Sequence, residues 1–333
     1  MSFERVQVIG GGAWGTALAQ AAANAGRAVT LMVRDPALAE AINRTHRNEA
    51  YLGDQALSAN ITARADYQSL SEADIVLLVV PAQVTRLTLQ AIGPEALAGK
   101  PVVLCAKGFE AGTLDRQSQI VGELAPKALP LVLSGPSFAV DVAAGRPTAV
   151  TLAGADIALA EQVAAALAGP SFRPYAAADL VGVELAGGLK NVYALACGAV
   201  EGAGLGLSAR SALLARAFAE MSRLVDKMGG QTATLTGLAG LGDLTLSCTS
   251  EQSRNYWYGV QLGRGRKLAE IEADGHRLAE GVKTAPAALA LAQKYDVDAP
   301  LIAAVNMLLA GKVRIDAIVA GLMARPLKRE GEN

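Results

Sequence analysis

Apolar and polar positions follow two regimes along the chain. From Arg5 to about Ala178, short apolar runs at Arg5–Ile9, Ala28–Val33, Ile75–Val80, Val102–Ala106, Leu131–Leu133 and Ala149–Leu152 are separated mostly by helical or loop segments. Alternation of that kind predicts an α/β fold with a parallel, doubly wound sheet. After Asp179 the strand signal fades, and Val181–Glu201, Ser208–Met228, Thr284–Tyr295 and Leu301–Leu309 read as helices, with glycine-rich breaks at Gly237–Asp243 and Gly263–Gly265. The predicted organisation is a domain over residues 1–178 and an almost wholly helical domain over 179–333, with a frayed tail at Lys328–Asn333.

The first strand runs straight into Gly10-Gly11-Gly12-Ala13-Trp14-Gly15, and Thr16–Ala25 reads as the helix that follows. In a strand–turn–helix context, Gly10 permits the tight turn, Gly12 lets the backbone approach a pyrophosphate, and Gly15 lets the helix lie against the strand. The free N–H groups of the helix start would face the anion. Other chemistry-bearing residues fall at strand ends: Arg34 after the second, Pro81 after the third, Lys107-Gly108 after the fourth and Gly135-Pro136-Ser137-Phe138 after the fifth. In an open α/β sheet these positions would border one ligand crevice. Arg34 stands where an acidic residue often holds a ribose 2′-hydroxyl; an arginine there suits a 2′-phosphate, which favours NADP slightly, while Asp35 keeps NAD open.

Composition narrows the function classes. A length of 333 residues suits two domains, and a net charge of −1 with 18% charged residues argues against a nucleic-acid-binding face. Cys105, Cys197 and Cys248 are widely spaced and form no CxxC pair, so neither a disulfide framework nor a cysteine metal cluster is expected. That usage fits a reducing compartment, the cytoplasm. No uncharged run reaches the length of a bilayer span, no motif suggests a metal, and the 52% apolar content comes largely from alanine.

Lys190 is the only charged side chain between Glu184 and Glu201. A lysine in apolar surroundings is disfavoured in its charged form, which lowers its pKa towards the range useful for proton exchange. The competing reading is a lysine that snorkels from a helix end. Neighbouring Gly187-Gly188 would let a ligand or another backbone approach. His46 and His276 lie in polar stretches and read as surface residues, which shifts the proton-transfer role towards lysine. Lys107 follows a buried strand, where a charge needs a reason, and Asp243 is a lone carboxylate in an apolar, glycine-rich segment. Asp243 could hold Lys190 or a substrate hydroxyl, or cap a helix. In Thr249-Ser250-Glu251-Gln252-Ser253-Arg254-Asn255, Thr249 and Gln252 are spaced as a capping box, and Ser253, Arg254 and Asn255 would add donors for a phosphate.

Together these segments resemble the bacterial NAD(P)-dependent glycerol-3-phosphate dehydrogenase family. The resemblance is carried, in family order, by Gly10–Ala17, Lys107-Gly108, Gly135–Ala139, Gly182–Glu184, Leu189-Lys190-Asn191, Gly240–Asp243, Cys248–Ser250, Ser253–Asn255 and Glu280–Val282. It implies a Rossmann-type N-terminal domain and a helical C-terminal domain similar to that of 6-phosphogluconate dehydrogenase. It also implies hydride transfer between NAD(P) and sn-glycerol 3-phosphate or dihydroxyacetone phosphate, supplying phospholipid synthesis. By likeness Lys190 is the proton acceptor in oxidation, with Asp243 and Lys107 beside it. Substrate contacts are implied at Lys107, Gly135, Ser137, Asp243, Ser253, Arg254 and Asn255, and cofactor contacts at Ala13, Trp14, Arg34, Lys107, Ala139, Arg254 and Glu280. The chain departs from the family at Tyr51-Leu52-Gly53, where relatives commonly carry Tyr-Leu-Pro. A hydroxyacid or ketopantoate-type reductase of the same architecture would not need the Ser253–Asn255 phosphate grip, and a nucleotide sensor would not need Lys190. The alanine-rich helices of the second domain could form a homodimer interface.

Overall fold

A computed structural model describes residues 3–275, 279–326 and 329; His276 and, apart from Arg329, the tail Lys328–Asn333 lie outside them. The chain divides into two compact units, Met1–Ala106 with Asp115–Val183, and Lys107–Leu114 with Glu184–Asn333.

The first unit is built on a sheet of β1 (Arg5–Ile9), β2 (Ala28–Met32), β3 (Ile61–Arg64), β4 (Ile75–Leu78), β5 (Pro101–Leu104), β6 (Leu129–Ser134), β7 (Thr148–Gly154) and β8 (Phe172–Ala177). Its helices are α1 (Ala13–Asn24), α2 (Pro36–Thr45), α3 (Glu49–Leu52), α4 (Thr85–Ile92), α5 (Gln117–Leu124), α6 (Ala139–Ala143) and α7 (Ile157–Leu167). The strand order is β3-β2-β1-β4-β5-β6-β7-β8, so the winding reverses between β1 and β4, the place where a Rossmann-type sheet opens its crevice. β4 and β5 are buried along their whole length, as continuous apolar runs in a doubly covered sheet require.

Two strands escape the periodicity reading. β3 alternates buried Ile61 and Ala63 with exposed Thr62 and Arg64, which leaves two apolar residues as its signal. β8 carries Arg173 and Pro174, and as the edge strand it can accommodate the proline. The sheet is also not wholly parallel, because β7 runs antiparallel to β6.

The β1–α1 turn follows the expected glycine logic. Gly10 has a φ of +117°, and a Cβ there would sit 2.4 Å from the Val79 carbonyl oxygen. A Cβ on Gly15 would sit 1.8 Å from the Gly10 carbonyl oxygen. Only hydrogen fits at either place, so α1 starts hard against the ends of β1 and β4.

The second unit contains α8 (Leu180–Gly202, which begins in the first unit), α9 (Gly206–Lys227), α10 (Asp243–Thr249), α11 (Arg254–Gly263), α12 (Leu268–Ala273), α13 (Glu280–Lys294), α14 (Pro300–Leu309) and α15 (Ile315–Met323). α8 and α11 cross with their backbones in contact. Cβ atoms on Gly198 and Gly202 would come within 2.0 Å of the Tyr256 oxygen and 2.1 Å of the Val260 oxygen, and Gly259 and Gly263 meet Leu195 and Ala199 in the same way. α8 is long and apolar enough to cross a bilayer by length and composition alone. It carries Glu184 and Lys190, however, and 89% of its most apolar 18 residues are buried inside the protein, which makes it a core helix. The stretch expected as a break at Gly237–Asp243 contains a single π-helical turn, Leu238–Gly242, that feeds directly into α10. Such turns recur at functional sites.

Candidate functional site

Three elements of the second unit converge on Asp243. The carboxylate sits in the first turn of α10, where the positive end of a helix dipole favours an anion. It is 1% exposed, and its two oxygens are shared: Lys190 Nζ on α8 donates to Oδ1 at 2.9 Å and Lys107 Nζ donates to Oδ2 at 2.5 Å. Lys190 also donates to the hydroxyl of Ser247, one turn along α10, at 2.7 Å. Of the readings open for Asp243, the pairing with Lys190 is the one formed; the residue preceding the helix is Gly242. Lys190 is buried rather than snorkelling. Its ammonium has three donors and two of them are engaged among the described residues, which leaves one for a ligand oxygen.

The electrostatics of this triad follow from burial and charge. Burial pushes Lys190 below the ordinary lysine value, and the Lys107 charge acts in the same direction against the pull of Asp243. For Asp243, burial alone would raise the pKa, but the two ammonium groups and their hydrogen bonds hold it below the usual carboxylate value. With both lysines protonated, the triad with its ionised carboxylate carries one net positive charge. That arrangement can bind an oxyanion and pass a proton to or from an alcohol oxygen.

Lys107 reaches this place because its segment lies against α8. A Cβ on Gly188 would be 3.0 Å from the Phe109 ring and 3.4 Å from the Gly108 Cα, so the glycine expected to admit a ligand or a backbone admits this loop. Beside Lys190, Asn191 donates to the Lys107 carbonyl at 3.4 Å and accepts from Asn255 Nδ2 at 2.8 Å, while Asn255 Oδ1 accepts from the Gly281 backbone at 2.8 Å. This amide chain ties α8, α11 and the start of α13 together around the lysines, and puts Glu280 on the first turn of α13. Asn191 stands in the sequence only as a member of the Leu189-Lys190-Asn191 motif with no role of its own, and Ser247 is not among the candidate residues. Ser247 lies four residues after Asp243, the helical spacing that could have flagged it.

The capping box expected at Thr249 and Gln252 does not form. Thr249 ends α10, with its hydroxyl donating back to the Thr245 carbonyl, and the cap of α11 is Ser253, which accepts from Tyr256 N at 3.4 Å. Ser253 is buried with its own proton left to donate, Arg254 is exposed, and both ends of the Asn255 amide are committed to the network above, which leaves one of its two N–H bonds to offer. The ten-residue α11 therefore begins with a hydroxyl, a guanidinium and free N–H groups together, a suitable set for a phosphate.

In the first unit, the β1–α1 turn has no side chain capping α1, because its N-cap is Gly12. The N–H groups of Ala13 and Trp14 lie in the first turn, beyond the reach of intrahelical bonds. With Gly10 and Gly15 admitting nothing but hydrogen, the turn fits a dinucleotide pyrophosphate. Arg34 is exposed at the end of β2 and has no ion-pair partner among the described residues, whereas the Asp35 carboxylate is occupied in capping α2 through Ala37 N at 2.9 Å. Gly135 follows β6 with a φ of +149°, Ser137 donates to its carbonyl at 3.0 Å, and Ala139 begins α6, which packs against α1. His46 is exposed, as expected. Among the described residues no group of His, Cys, Asp and Glu could hold a metal ion, and the three cysteines are free and buried.

Comparison with known proteins follows the same division of the chain. Residues 5–160 match the family model described as NAD-dependent glycerol-3-phosphate dehydrogenase N-terminus, and residues 179–320 match the corresponding C-terminus. A protein of Caulobacter vibrioides named glycerol-3-phosphate dehydrogenase [NAD(P)+] is 52% identical over 330 residues, covering 99% of this chain and 100% of that protein. One of the same name from Maricaulis maris is 49% identical, covering 98% of each. Among solved structures, the glycerol-3-phosphate dehydrogenase of Coxiella burnetii superposes with a TM-score of 0.92 at 35% identity, over 97% of this chain and 100% of that one.

Proposed function

The chain belongs to the NAD-dependent glycerol-3-phosphate dehydrogenase family, and from that premise we propose which of its residues do the work. It is an NAD(P)-dependent oxidoreductase that interconverts sn-glycerol 3-phosphate and dihydroxyacetone phosphate. When bound, the nicotinamide supplies or accepts the hydride. In our reading, Lys190 moves the accompanying proton. In oxidation its neutral amine takes the proton of the C2 hydroxyl, and in reduction its ammonium returns one to the C2 oxygen. The observation that carries this is the buried Lys190 Nζ held at 2.9 Å by Asp243 and 2.7 Å by Ser247, with one donor position remaining. Asp243 orients the amine, and Lys107, paired to its other oxygen, adds positive charge beside the developing alkoxide.

For the non-reacting end of the substrate we assign the phosphate to Ser253, Arg254 and Asn255 at the start of α11, with Gly135 and Ser137 as further substrate contacts. Binding energy from a group that does not react then positions the carbon that does. For the cofactor we assign the pyrophosphate to Gly10, Gly12, Ala13, Trp14 and Gly15, and further contacts to Lys107, Ala139, Arg254 and Glu280. Arg34 is assigned to the 2′-phosphate, so NADPH is favoured slightly over NADH. We further assign the helical part of the chain to substrate binding and catalysis, a homodimeric state, and a cytoplasmic role in supplying glycerol 3-phosphate for phospholipid synthesis. The free buried thiols support a reducing compartment.

Oxidation of NADH and NADPH with dihydroxyacetone phosphate, with dihydroxyacetone as control, tests the whole assignment. Turnover that requires the phosphate is expected, at a somewhat higher kcat/KM with NADPH. Equal rates with unphosphorylated dihydroxyacetone would remove the phosphate grip from the scheme.

A further inference from the structure

Residues 46–58 form a strap beside the β1–α1 turn. His46 ends α2 in a left-handed conformation, Arg47 bridges to Ala56, and Leu57 N donates to the His46 carbonyl at 2.8 Å. The strap is fastened to α1 at two points. Ser58 N donates to Gln20 Oε1 at 2.8 Å, and Asn48 Nδ2 donates both to the Gly11 carbonyl at 3.0 Å and to Thr16 Oγ1 at 2.8 Å. Asn48 is completely buried, and its Oδ1 has no hydrogen-bond partner among the described residues. The hydrogen bonds this buried amide makes through its side chain are the two it donates, and both hold the β1–α1 turn. Turning the amide over would aim Oδ1 at the Gly11 carbonyl, lone pair against lone pair, so the observed orientation is fixed. The edge of the Tyr51 ring lies 3.8 Å from where a Cβ of Gly12 would be, which closes the strap over the same turn.

We propose that Asn48 is a positioning residue for the cofactor: by holding the Gly11 carbonyl and Thr16 together it presets the Gly11–Gly12 backbone in the conformation that binds pyrophosphate. This rests on the reading of Gly10–Gly15 as the dinucleotide turn. The turn is rich in glycine and without a side-chain cap, so it has little conformational stiffness of its own. Stiffness supplied from outside lowers the ordering entropy lost on binding and so raises affinity without any contact to the ligand. The pyrophosphate is common to NADH and NADPH, so the effect is equal for the two, unlike that of Arg34.

The test uses the full chain and the isosteric variant Asn48→Asp, which cannot donate to either acceptor, together with Asn48→Ala and Thr16→Val. Dissociation constants for NADH and NADPH are read by nucleotide fluorescence titration, and kcat and the KM for dihydroxyacetone phosphate at saturating cofactor. The expected result is a rise of roughly ten- to a hundredfold in both dissociation constants for the Asn48 variants, and a few-fold for Thr16→Val, which leaves the Gly11 bond. The kcat and the KM for dihydroxyacetone phosphate stay within about twofold. Unchanged dissociation constants in any variant that folds, even one with a lowered melting temperature, would make Asn48 purely structural and overturn the proposal. Failure of the wild-type chain to bind either nucleotide would instead overturn the dinucleotide reading itself.

Discussion

Asp243→Asn removes the one negative charge that Lys107 and Lys190 share while keeping the side chain's shape. The amide can turn its oxygen to only one lysine, so its NH2 group must face the other ammonium. Both lysines are largely withdrawn from solvent, their side chains 14% and 10% exposed against 1% for Asp243, so water cannot replace the lost partner. Breaking a buried pair from one side costs about 3–5 kcal/mol, which for a unit of this size corresponds to a fall of roughly 6–20 °C in melting temperature. The pH dependence carries the sharper signature. In the wild type the Asp243 pKa is held below its unfolded value, so its contribution is present above that unfolded value and is lost as pH falls through the folded one. In the variant both ammonium groups lack their counter-charge and Lys190, already lowered by burial, falls further; the folded state then regains stability as pH rises and Lys190 loses its proton. The gap between the two proteins should therefore be widest near neutral pH and should narrow towards both pH 3 and pH 10. Thermal melts followed by circular dichroism across that range test this. A variant within 1 °C of the wild type at pH 7, or a gap that widens towards pH 10, would refute the reasoning.

Other expected outcomes follow from the same geometry. Lys190→Ala should lower kcat by about a hundredfold or more, the scale of general acid–base catalysis. In the wild type the rate of glycerol 3-phosphate oxidation should rise with pH to a plateau whose inflection lies below the ordinary lysine value, and that inflection should vanish in the variant. Arg254→Ala should raise the KM for dihydroxyacetone phosphate roughly ten- to a hundredfold with kcat little changed, since a charge-assisted contact to phosphate is lost; steady-state kinetics would show the split. Glu220 of α9 accepts from the N–H groups of Leu301 and Ile302 at the start of α14 and from Tyr193, and burial raises its pKa to about 7. A raised carboxyl pKa means that stability falls as pH rises from the unfolded value to the folded one, by about 3 kcal/mol in all. Glu220→Gln should therefore gain stability relative to wild type between pH 5 and pH 8, and a difference constant with pH would count against the assignment.

What the sequence reveals and what it conceals divides along the range of the interactions involved. The Gly10–Gly15 turn is legible because strand, turn and helix are consecutive, and each glycine answers to an atom nearby in the chain or on the adjacent strand. Lys190 is legible because a charge isolated in an apolar helix demands an explanation. Asp243 could not be decided, because its partners lie 53 and 136 residues away, and no local pattern separates a helix cap from an ion-pair centre. The same locality misled at Thr249 and Gln252: their spacing satisfies a capping box, yet the helix begins after Ser253.

That helix, α11, once started, is held against α8 by their crossing. Gly198 and Gly202 on one helix and Gly259 and Gly263 on the other each leave a backbone carbonyl or amide where a side chain would have been. In a chain with 35 glycines, a spacing of four carries little information by itself, so the crossing is visible only once both helices are placed. Yet the crossing sets the surroundings of Lys190. It sets the approach at which Asn255 of α11 can reach Asn191 of α8, one residue from Lys190, and through Asn191 the Lys107 carbonyl. A methyl group at Gly198, which would meet the Tyr256 carbonyl oxygen at 2.0 Å, would force the helices apart and strain the amide chain, although Gly198 itself is assigned no contact with substrate. The lysine we assign to proton transfer is thus announced by its own chemistry, while its aim is set by glycines that have none.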